Sequence, residues 1–112
     1  MLESVTLSAL TSALDGLAER QRAIADNVAN VQTPGYHARR VEFETQLLSA
    51  VREGEGDVAP TTRRSLEPTR LDGNNVNLDT ETLSNIDTVL RFQLATRAVD
   101  GKLSSIRTAL RS

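Results

Sequence analysis

An oxygen-rich run in the second half of the chain is the strongest candidate for metal chemistry. Asp72-Gly73-Asn74-Asn75-Val76-Asn77-Leu78-Asp79 supplies carboxylate and amide oxygens, which are the ligands that Ca²⁺ prefers. A helix–loop–helix calcium site needs glycine at its sixth position and glutamate at its twelfth, where this run has Asn77 and Leu83. Asparagine and aspartate also bond to their own backbone in turns. We therefore interpret the run as a turn and helix entry, and we predict no metal and no other cofactor.

The single histidine, His37, is the only candidate for acid–base chemistry near neutral pH. Its neighbours in the sequence are Arg39 and Arg40, and the nearest carboxylates are those of Glu42 and Glu44. The chain has no cysteine, and no usable spacing joins a nucleophile, a base and an orienting carboxylate. A lone histidine in such surroundings is typical of a solvent-facing loop. We predict no enzymatic activity and no small-molecule substrate.

Two dibasic pairs, Arg39-Arg40 and Arg63-Arg64, raise the question of nucleic acid. The net charge is −2 and only 3% of the residues are aromatic, so a basic surface with bases stacked on it is not expected. We interpret the pairs as solvated or intersubunit charges and predict no nucleic-acid partner. The first fourteen residues contain Glu3 and lack the basic and apolar regions of a secretory signal, which taken alone predicts a cytoplasmic protein.

Aliphatic residues recur at three- and four-residue spacing in both terminal segments, which predicts two long amphipathic helices. The second helix is expected to begin near Asp79 as its N-cap, with Glu81 in the first turn facing the helix dipole. We predict a mainly α fold in which the two helices pair as a coiled-coil-like hairpin. The predicted assembly seam comprises Leu7, Leu10, Leu14, Leu17, Ile24, Val28 and Val31 on the first helix, and Leu83, Ile86, Leu90, Val99, Leu103, Ile106 and Leu110 on the second.

The segment between the helices has a different composition. A short helix could extend over Val41 to Val51, followed by the acidic, glycine-rich stretch Glu53 to Asp57, which is typical of a flexible linker. Prolines then disfavour helix over residues 58–70. The expected organisation is a first helix with its corner over residues 1–35, a flexible or short extended middle over 36–78, and a second helix over 79–112.

A corner ends the first helix. Thr33 precedes Pro34 and is therefore expected to be extended, so the helix should end near Val31. Pro34 and Gly35 suit the two central positions of a type II turn, because glycine accepts a positive φ. Asn27 and Asn30 at the helix end can bond to the backbone of this corner, or they can merely fray the helix.

The corner also carries a family resemblance. Asn27, Ala29, Asn30, Thr33, Pro34, Gly35 and Tyr36 reproduce a pattern that resembles the N-terminal signature of flagellar rod, hook and hook-associated proteins. The stretch from Asp72 to Glu81 and the ending Phe92-Gln93-Leu94 to Gly101-Lys102-Leu103 are similar to the subunits of the proximal flagellar basal-body rod. Thr82 and Phe92 depart from that family pattern, which commonly has methionine and tyrosine at the corresponding places.

The resemblance implies a structural subunit that stacks helically and transmits torque from motor to hook. It implies contacts with copies of itself, with other rod proteins and with the adapter that joins the rod to the membrane ring. It further implies passage through the flagellar type III export apparatus without cleavage, and a final place in the periplasmic rod. The alternative from the residues alone is a small helical adaptor or export chaperone that binds one partner and does not polymerise.

Overall fold

The computed structural model describes residues 2–111, so Met1 and Ser112, the outermost residues of the predicted terminal segments, lie outside the described residues. Its helices and strands are α1 (Leu2–Ala29), β1 (Arg39–Glu42), α2 (Glu44–Arg52), β2 (Thr61–Arg64) and α3 (Leu78–Arg111). The prediction of a mainly helical chain with two long terminal helices is confirmed. The molecule is elongated, with principal extents of 64 × 25 × 14 Å.

The two long helices pack along each other and run in opposite directions. Asn27 near the end of α1 contacts Glu81 near the start of α3, whereas Ala13 and Ala95 line the same groove further along. Buried apolar side chains of α1 and the middle segment form the core, namely Leu17, Ala23, Val41 and Phe43, with Ala13, Leu47 and Phe92 packed against them. The core therefore depends on the middle segment as much as on the helix pair.

The middle segment is folded against α1 and contains two short strands, so of the two predicted forms, flexible or short extended, the short extended form is observed. Strands β1 and β2 form an antiparallel ladder in which Arg39 is opposite Arg64. In the predicted acidic linker, the Ser12 hydroxyl donates to the Gly56 carbonyl at 2.6 Å. A Cβ on Gly56 would lie 2.6 Å from the Val5 carbonyl oxygen, so only glycine allows this close approach to the helix. The composition of this stretch predicted flexibility, whereas the structure uses its glycine for close packing.

Arg20 joins α1 to the middle segment through three kinds of contact. Its guanidinium donates to both carboxylate oxygens of Glu44 at 2.6 and 2.7 Å and to the Val41 carbonyl at 2.6 Å. It also lies 5.0 Å from the centre of the Phe43 ring, within range of a cation–π interaction. The hydrogen bonds from Arg20 lower the pKa of the Glu44 carboxyl group, because they stabilise its ionised form.

Gly16 in the middle of α1 provides the space that Phe43 occupies. A Cβ built on Gly16 would lie 2.4 to 2.6 Å from three carbons of the Phe43 ring. The ring is buried, with 4% of its surface exposed, and belongs to the core. A residue with poor helix propensity is therefore required here by packing.

We expect Gly16→Ala to destabilise the chain by about 1–3 kcal/mol, because the added methyl group overpacks the core. The matched control is Gly101→Ala in α3, where a Cβ meets no atom within 4 Å. That substitution should stabilise the chain by about 0.5–1 kcal/mol through helix propensity. Urea titrations followed by circular dichroism at 222 nm measure both values. Stabilisation by both alanines would contradict the packing role of Gly16.

The N-cap of α3 is Asn77, and the prediction of Asp79 was wrong by two residues. The Asn77 side-chain oxygen accepts from the backbone N–H of Asp79 at 3.0 Å and of Thr80 at 3.3 Å. These are the second and third helical residues, whose N–H groups have no partner within the helix. Asparagine and aspartate both suit an N-cap, and in the structure Asn77 takes this position.

Helix α3 has a buried face and an exposed apolar face. Its buried residues are Glu81, Thr88 and Ala95, and the half-buried Phe92 packs against the core. On the opposite side, more than half the surface of each residue is exposed in a stripe consisting of Leu83 (69%), Ile86 (53%), Leu90 (61%) and Leu94 (70%). With 3.6 residues per turn these four positions lie along one face of the helix. We call this set the outer stripe; Leu94 also borders the groove against α1 and α2, whereas the exposure of Leu83, Ile86 and Leu90 shows that the other described elements leave them uncovered.

The outer stripe does not make α3 a membrane helix. None of the helices within residues 2–111 has an apolar stretch long enough to cross a bilayer.

Candidate functional site

The corner after α1 is a tight turn with the predicted geometry. Gly35 has a φ of 75°, and the Tyr36 N–H donates to the Thr33 carbonyl at 3.2 Å, which closes a four-residue turn. Positive φ at the third position is the mark of the type II turn predicted from Pro34-Gly35, and that prediction is confirmed. Helix α1 itself ends at Ala29, two residues earlier than expected.

Asn30 bonds to the backbone on both sides of the helix end. Its side-chain amide donates to the Asp26 carbonyl at 2.8 Å. Its side-chain oxygen accepts from the Thr33 hydroxyl at 3.0 Å, and its backbone carbonyl accepts from the Thr33 N–H at 3.1 Å. Asn30 and Thr33 together therefore hold the last turn of α1 in a defined position relative to the corner.

Asn74 fastens this corner to the loop that precedes α3. Its side-chain amide donates to the carbonyls of Asn30 and Thr33, both at 2.8 Å, and its side-chain oxygen accepts from the Val76 N–H at 2.7 Å. The side chain is fully buried. A single side chain thus bonds to three backbone groups that lie outside the helices and strands.

Asn75 continues the contact on the other side of the turn. Its side-chain oxygen accepts from the Ala38 N–H at 2.7 Å, while its amide donates to the carbonyls of Ser65 and Glu67 at 3.2 and 3.1 Å. Its backbone N–H donates to the Tyr36 carbonyl at 3.2 Å. Asn75 therefore connects the corner, the strand end at Ser65 and the start of α3.

Asn27, the first residue of the signature, bonds to β1 and to α3. Its amide donates to the Arg39 carbonyl at 3.0 Å and to Glu81 Oε2 at 3.1 Å. Its oxygen accepts from the Arg39 N–H at 2.9 Å and from the Tyr36 hydroxyl at 3.2 Å. The Tyr36 phenol is protonated at neutral pH even at its ordinary pKa, and burial raises that pKa further.

Glu81 lies in the first turn of α3, as predicted. It is fully buried and forms an ion pair with Arg40, with Nη1 and Oε1 2.6 Å apart. Arg40 Nη2 is buried and has no hydrogen-bond partner among the residues described. A buried carboxylate and a partly buried guanidinium therefore link α3 to β1.

Arg70 completes the assembly of the corner. Its guanidinium donates to the Val76 carbonyl at 2.7 Å and also to the Val31 carbonyl just beyond α1. Next to it, the Gly35 N–H donates to the Asp72 carbonyl at 2.8 Å. We call the whole arrangement of residues 27–40 with residues 70–81 the corner joint.

The corner joint arranges polar groups to hold backbone. In the oxygen-rich run, the side-chain oxygens of Asp72, Asn74, Asn75 and Asn77 all accept from backbone N–H groups. This confirms the interpretation of that run as a turn and helix entry. What the joint can do is fix the angle between the end of α1 and the start of α3.

The structure places the remaining signature and seam residues as follows. Ala29, Thr33 and Pro34 are exposed at the corner. In the predicted seam, Leu17 and Ile24 are buried; Leu7, Leu10, Leu14, Val31, Val99 and Ile106 are half-buried; and Val28, Leu83, Ile86, Leu90, Leu103 and Leu110 are exposed. The use of this seam in assembly stays a prediction.

Sequence patterns did not indicate that the corner joint would include Asn74, Asn75, Arg40, Arg70 and Glu81. A signal did exist for the two asparagines, because they directly follow Gly73 in the turn-rich run. No signal linked Asn74 to Asn30, which lies 44 residues earlier. Local patterns cannot indicate such a pairing.

Comparison with known proteins agrees with this geometry. Residues 7–37, which cover most of α1 and the corner, match the family described as flagella basal body rod protein. The flagellar basal body rod protein FlgB of Escherichia coli (strain K12) is 30% identical over 122 positions, covering 89% of this chain and 88% of that protein. This chain belongs to the flagellar basal body rod protein family.

Relatives from distant bacteria extend the match over the rest of the chain. FlgB of Bacillus subtilis (strain 168) is 28% identical over 126 positions, covering 97% of this chain and 95% of that protein. FlgB of Borrelia hermsii is 30% identical over 121 positions, covering 88% and 90%. Both the corner and α3 are therefore included in the similarity. The chain is a structural subunit of the flagellar rod and not an enzyme.

Proposed function

We propose that this rod subunit assembles helically with copies of itself and with other rod proteins, and that it transmits torque from the motor to the hook. The observation that carries the proposal is the outer stripe of α3. Four large aliphatic side chains, each more than half exposed, form a continuous apolar row on one face of a long helix. Such a row is typical of a surface that a neighbouring helix covers.

In this proposal the two helices act as a coiled-coil-like hairpin within the assembly. One apolar face of α3 is covered by α1 in the same chain, and the outer stripe is covered by a helix of an adjacent subunit. Side chains that interlock across both faces resist sliding, because close-packed interiors deform little under load. The corner joint then keeps each hairpin at one angle, so that torque is passed on as rotation and not lost in bending.

The proposal extends to the setting of the assembly. The partners are the other rod proteins and the adapter that joins the rod to the membrane ring, with the flagellar type III export apparatus as a partner during transit. The location is the periplasmic rod of the basal body, reached without cleavage of a signal peptide.

Leu90→Asp tests the outer stripe. Because Leu90 is exposed, an aspartate there should leave the free chain folded, whereas in an assembled helix interface it would bury an unpaired charge. We expect cells of the source bacterium that carry this variant as their only copy to lack rods and to be unable to swim. Isolated basal bodies probed for the chain, together with swimming plates, measure the effect.

The control is Thr96→Asp, which adds the same charge at an exposed position of α3. Thr96 lies farther along the helix than Leu90 and is rotated from it by about 120° around the helix axis. It should leave assembly and swimming unchanged. Normal rods with Leu90→Asp would refute the role of the stripe. If the unmodified chain is absent from isolated basal bodies and sediments as a defined low-order complex, the adaptor alternative is correct.

A further inference from the structure

We infer that a basic patch on the β1–β2 ladder of one subunit docks onto the acidic turn after α2 of a second copy. This inference rests on the proposed assembly of copies and names the contact between them. The surface does not overlap the outer stripe, and it uses the exposed side chain of Arg39, whose backbone belongs to the corner joint.

The basic patch consists of Arg39 and Arg64, which are direct cross-strand partners. Both side chains are exposed, and no carboxylate among residues 4–111 lies within ion-pair distance of either. The other arginines of the ladder are paired, Arg63 with Glu42 at 3.5 Å and Arg40 with Glu81. Like charges directly opposite each other on a sheet are destabilising. An anionic partner would remove that cost.

The acidic turn consists of Glu53, Glu55 and Asp57, which follow α2 immediately. All three are exposed, and within the described part of the chain none of them forms an ion pair. Arg52 is the one basic residue directly beside them, so the turn keeps a net negative charge. Its path is held in place because Gly56 packs directly on α1.

The two patches cannot neutralise each other within one molecule. The acidic turn is attached to α1 at Ser12, and the basic patch is attached to α1 at Asn27. Fifteen helical residues separate these points by about 22 Å. The Debye length at physiological ionic strength is only about 8 Å. Their charges can meet only between molecules.

Exposed apolar side chains adjoin both patches. Leu66, two residues beyond Arg64, is 98% exposed, and Leu48 and Val51 in α2, just before the acidic turn, are 55% and 40% exposed. A docked pair of patches would therefore bury aliphatic surface beside the ion pairs, which is the mixed composition usual for protein interfaces. The chain carries a net charge of −2, which disfavours a nucleic acid or an anionic lipid as the occupant.

Because the two patches differ and lie apart, contact between them joins unlike surfaces of two subunits. Such heterologous contacts generate open helical assemblies when the rotation between subunits does not close a ring. The proposed docking thus suits a filament of copies.

Crosslinking tests the contact, since the chain has no cysteine of its own. Cells co-express two single-cysteine chains, Thr62→Cys beside the basic patch and Ser49→Cys one helical turn before Glu53, and isolated basal bodies are treated with a short bismaleimide. We expect a crosslinked dimer containing one chain of each kind. Replacing Ser49→Cys with Asp100→Cys, exposed on α3, should abolish this product.

Charge reversal provides a second measurement. The variant R39E/R64E should lose self-association of the purified chain in low salt, and mixing it with E53R/E55R should restore a mixed complex. Circular dichroism of each variant checks that its helix content is unchanged, and R97E/R107E adds the same charge change at exposed positions of α3, outside the patch. Equal crosslinking with the control cysteine, or full swimming with R39E/R64E, would overturn the inference while leaving the rod assignment intact. Absence of the unmodified chain from basal bodies would overturn the proposed function itself.

Discussion

Glu81→Ala should lower the free energy of unfolding by about 3–5 kcal/mol, which is the range for breaking a buried ion pair by removal of one partner. Arg40 would lose the carboxylate of Glu81 with which it pairs, and its Nη2 already has no partner among the described residues. The Asn27 amide would lose one of its two acceptors as well. Chemical denaturation followed by circular dichroism measures the loss.

Glu19→Ala is the matched control, because Glu19 also pairs with an arginine, Arg22, but at the surface. Exposed pairs of this kind contribute about 0–1 kcal/mol. Glu81→Gln separates charge from shape, since glutamine keeps the volume and can still accept from Arg40. It should therefore cost less than the alanine. If Glu81→Ala and Glu19→Ala cost the same, the buried pair is not a determinant of stability.

Asn74→Ala should lower the free energy of unfolding by about 1–3 kcal/mol and abolish rod assembly. It leaves the buried Val76 N–H without its partner, and it removes the donor to the carbonyls of Asn30 and Thr33, each of which still accepts from a backbone N–H. Each unsatisfied buried group costs about 1–3 kcal/mol, less where water can enter. The corner would then no longer be fastened to the loop before α3, so the hairpin angle would vary between subunits. Chemical denaturation and the rod content of isolated basal bodies measure the two effects.

Asn74→Asp examines the donor function alone. Aspartate keeps the oxygen that accepts from Val76 but places a negative charge against two carbonyl oxygens in place of an amide donor. The variant should be destabilised at neutral pH and should regain part of its stability in acid, where a protonated carboxyl group can donate. Asn85→Ala, at an exposed position of α3, should change stability by no more than about 0.5 kcal/mol. Equal stability of the Asn74→Ala and Asn85→Ala chains would show that the joint does not hold the corner.

Local patterns were sufficient for the elements that depend on near neighbours. The three- and four-residue spacing of aliphatic residues identified both long helices, since a helix repeats every 3.6 residues. The pair Pro34-Gly35 identified the turn, because proline presets φ at one position and glycine accepts a positive φ at the next. The signature around Asn27 and Tyr36 identified the family. Each of these features is encoded within about ten consecutive residues.

Features that depend on contacts between residues distant in the sequence were not predicted or were misinterpreted. Glycine has poor helix propensity, yet Gly16 is needed in α1 because Phe43 occupies the space beside it. The stretch Glu53 to Asp57 was interpreted as a flexible linker, yet its Gly56 packs directly on α1. The position of Glu81 in the first turn of α3 was predicted, but its buried ion pair with Arg40 was not. The composition of each segment allowed these contacts but did not specify them. The reason is that a local pattern reports the conformation of its own residues, whereas packing and burial depend on which distant surface arrives there.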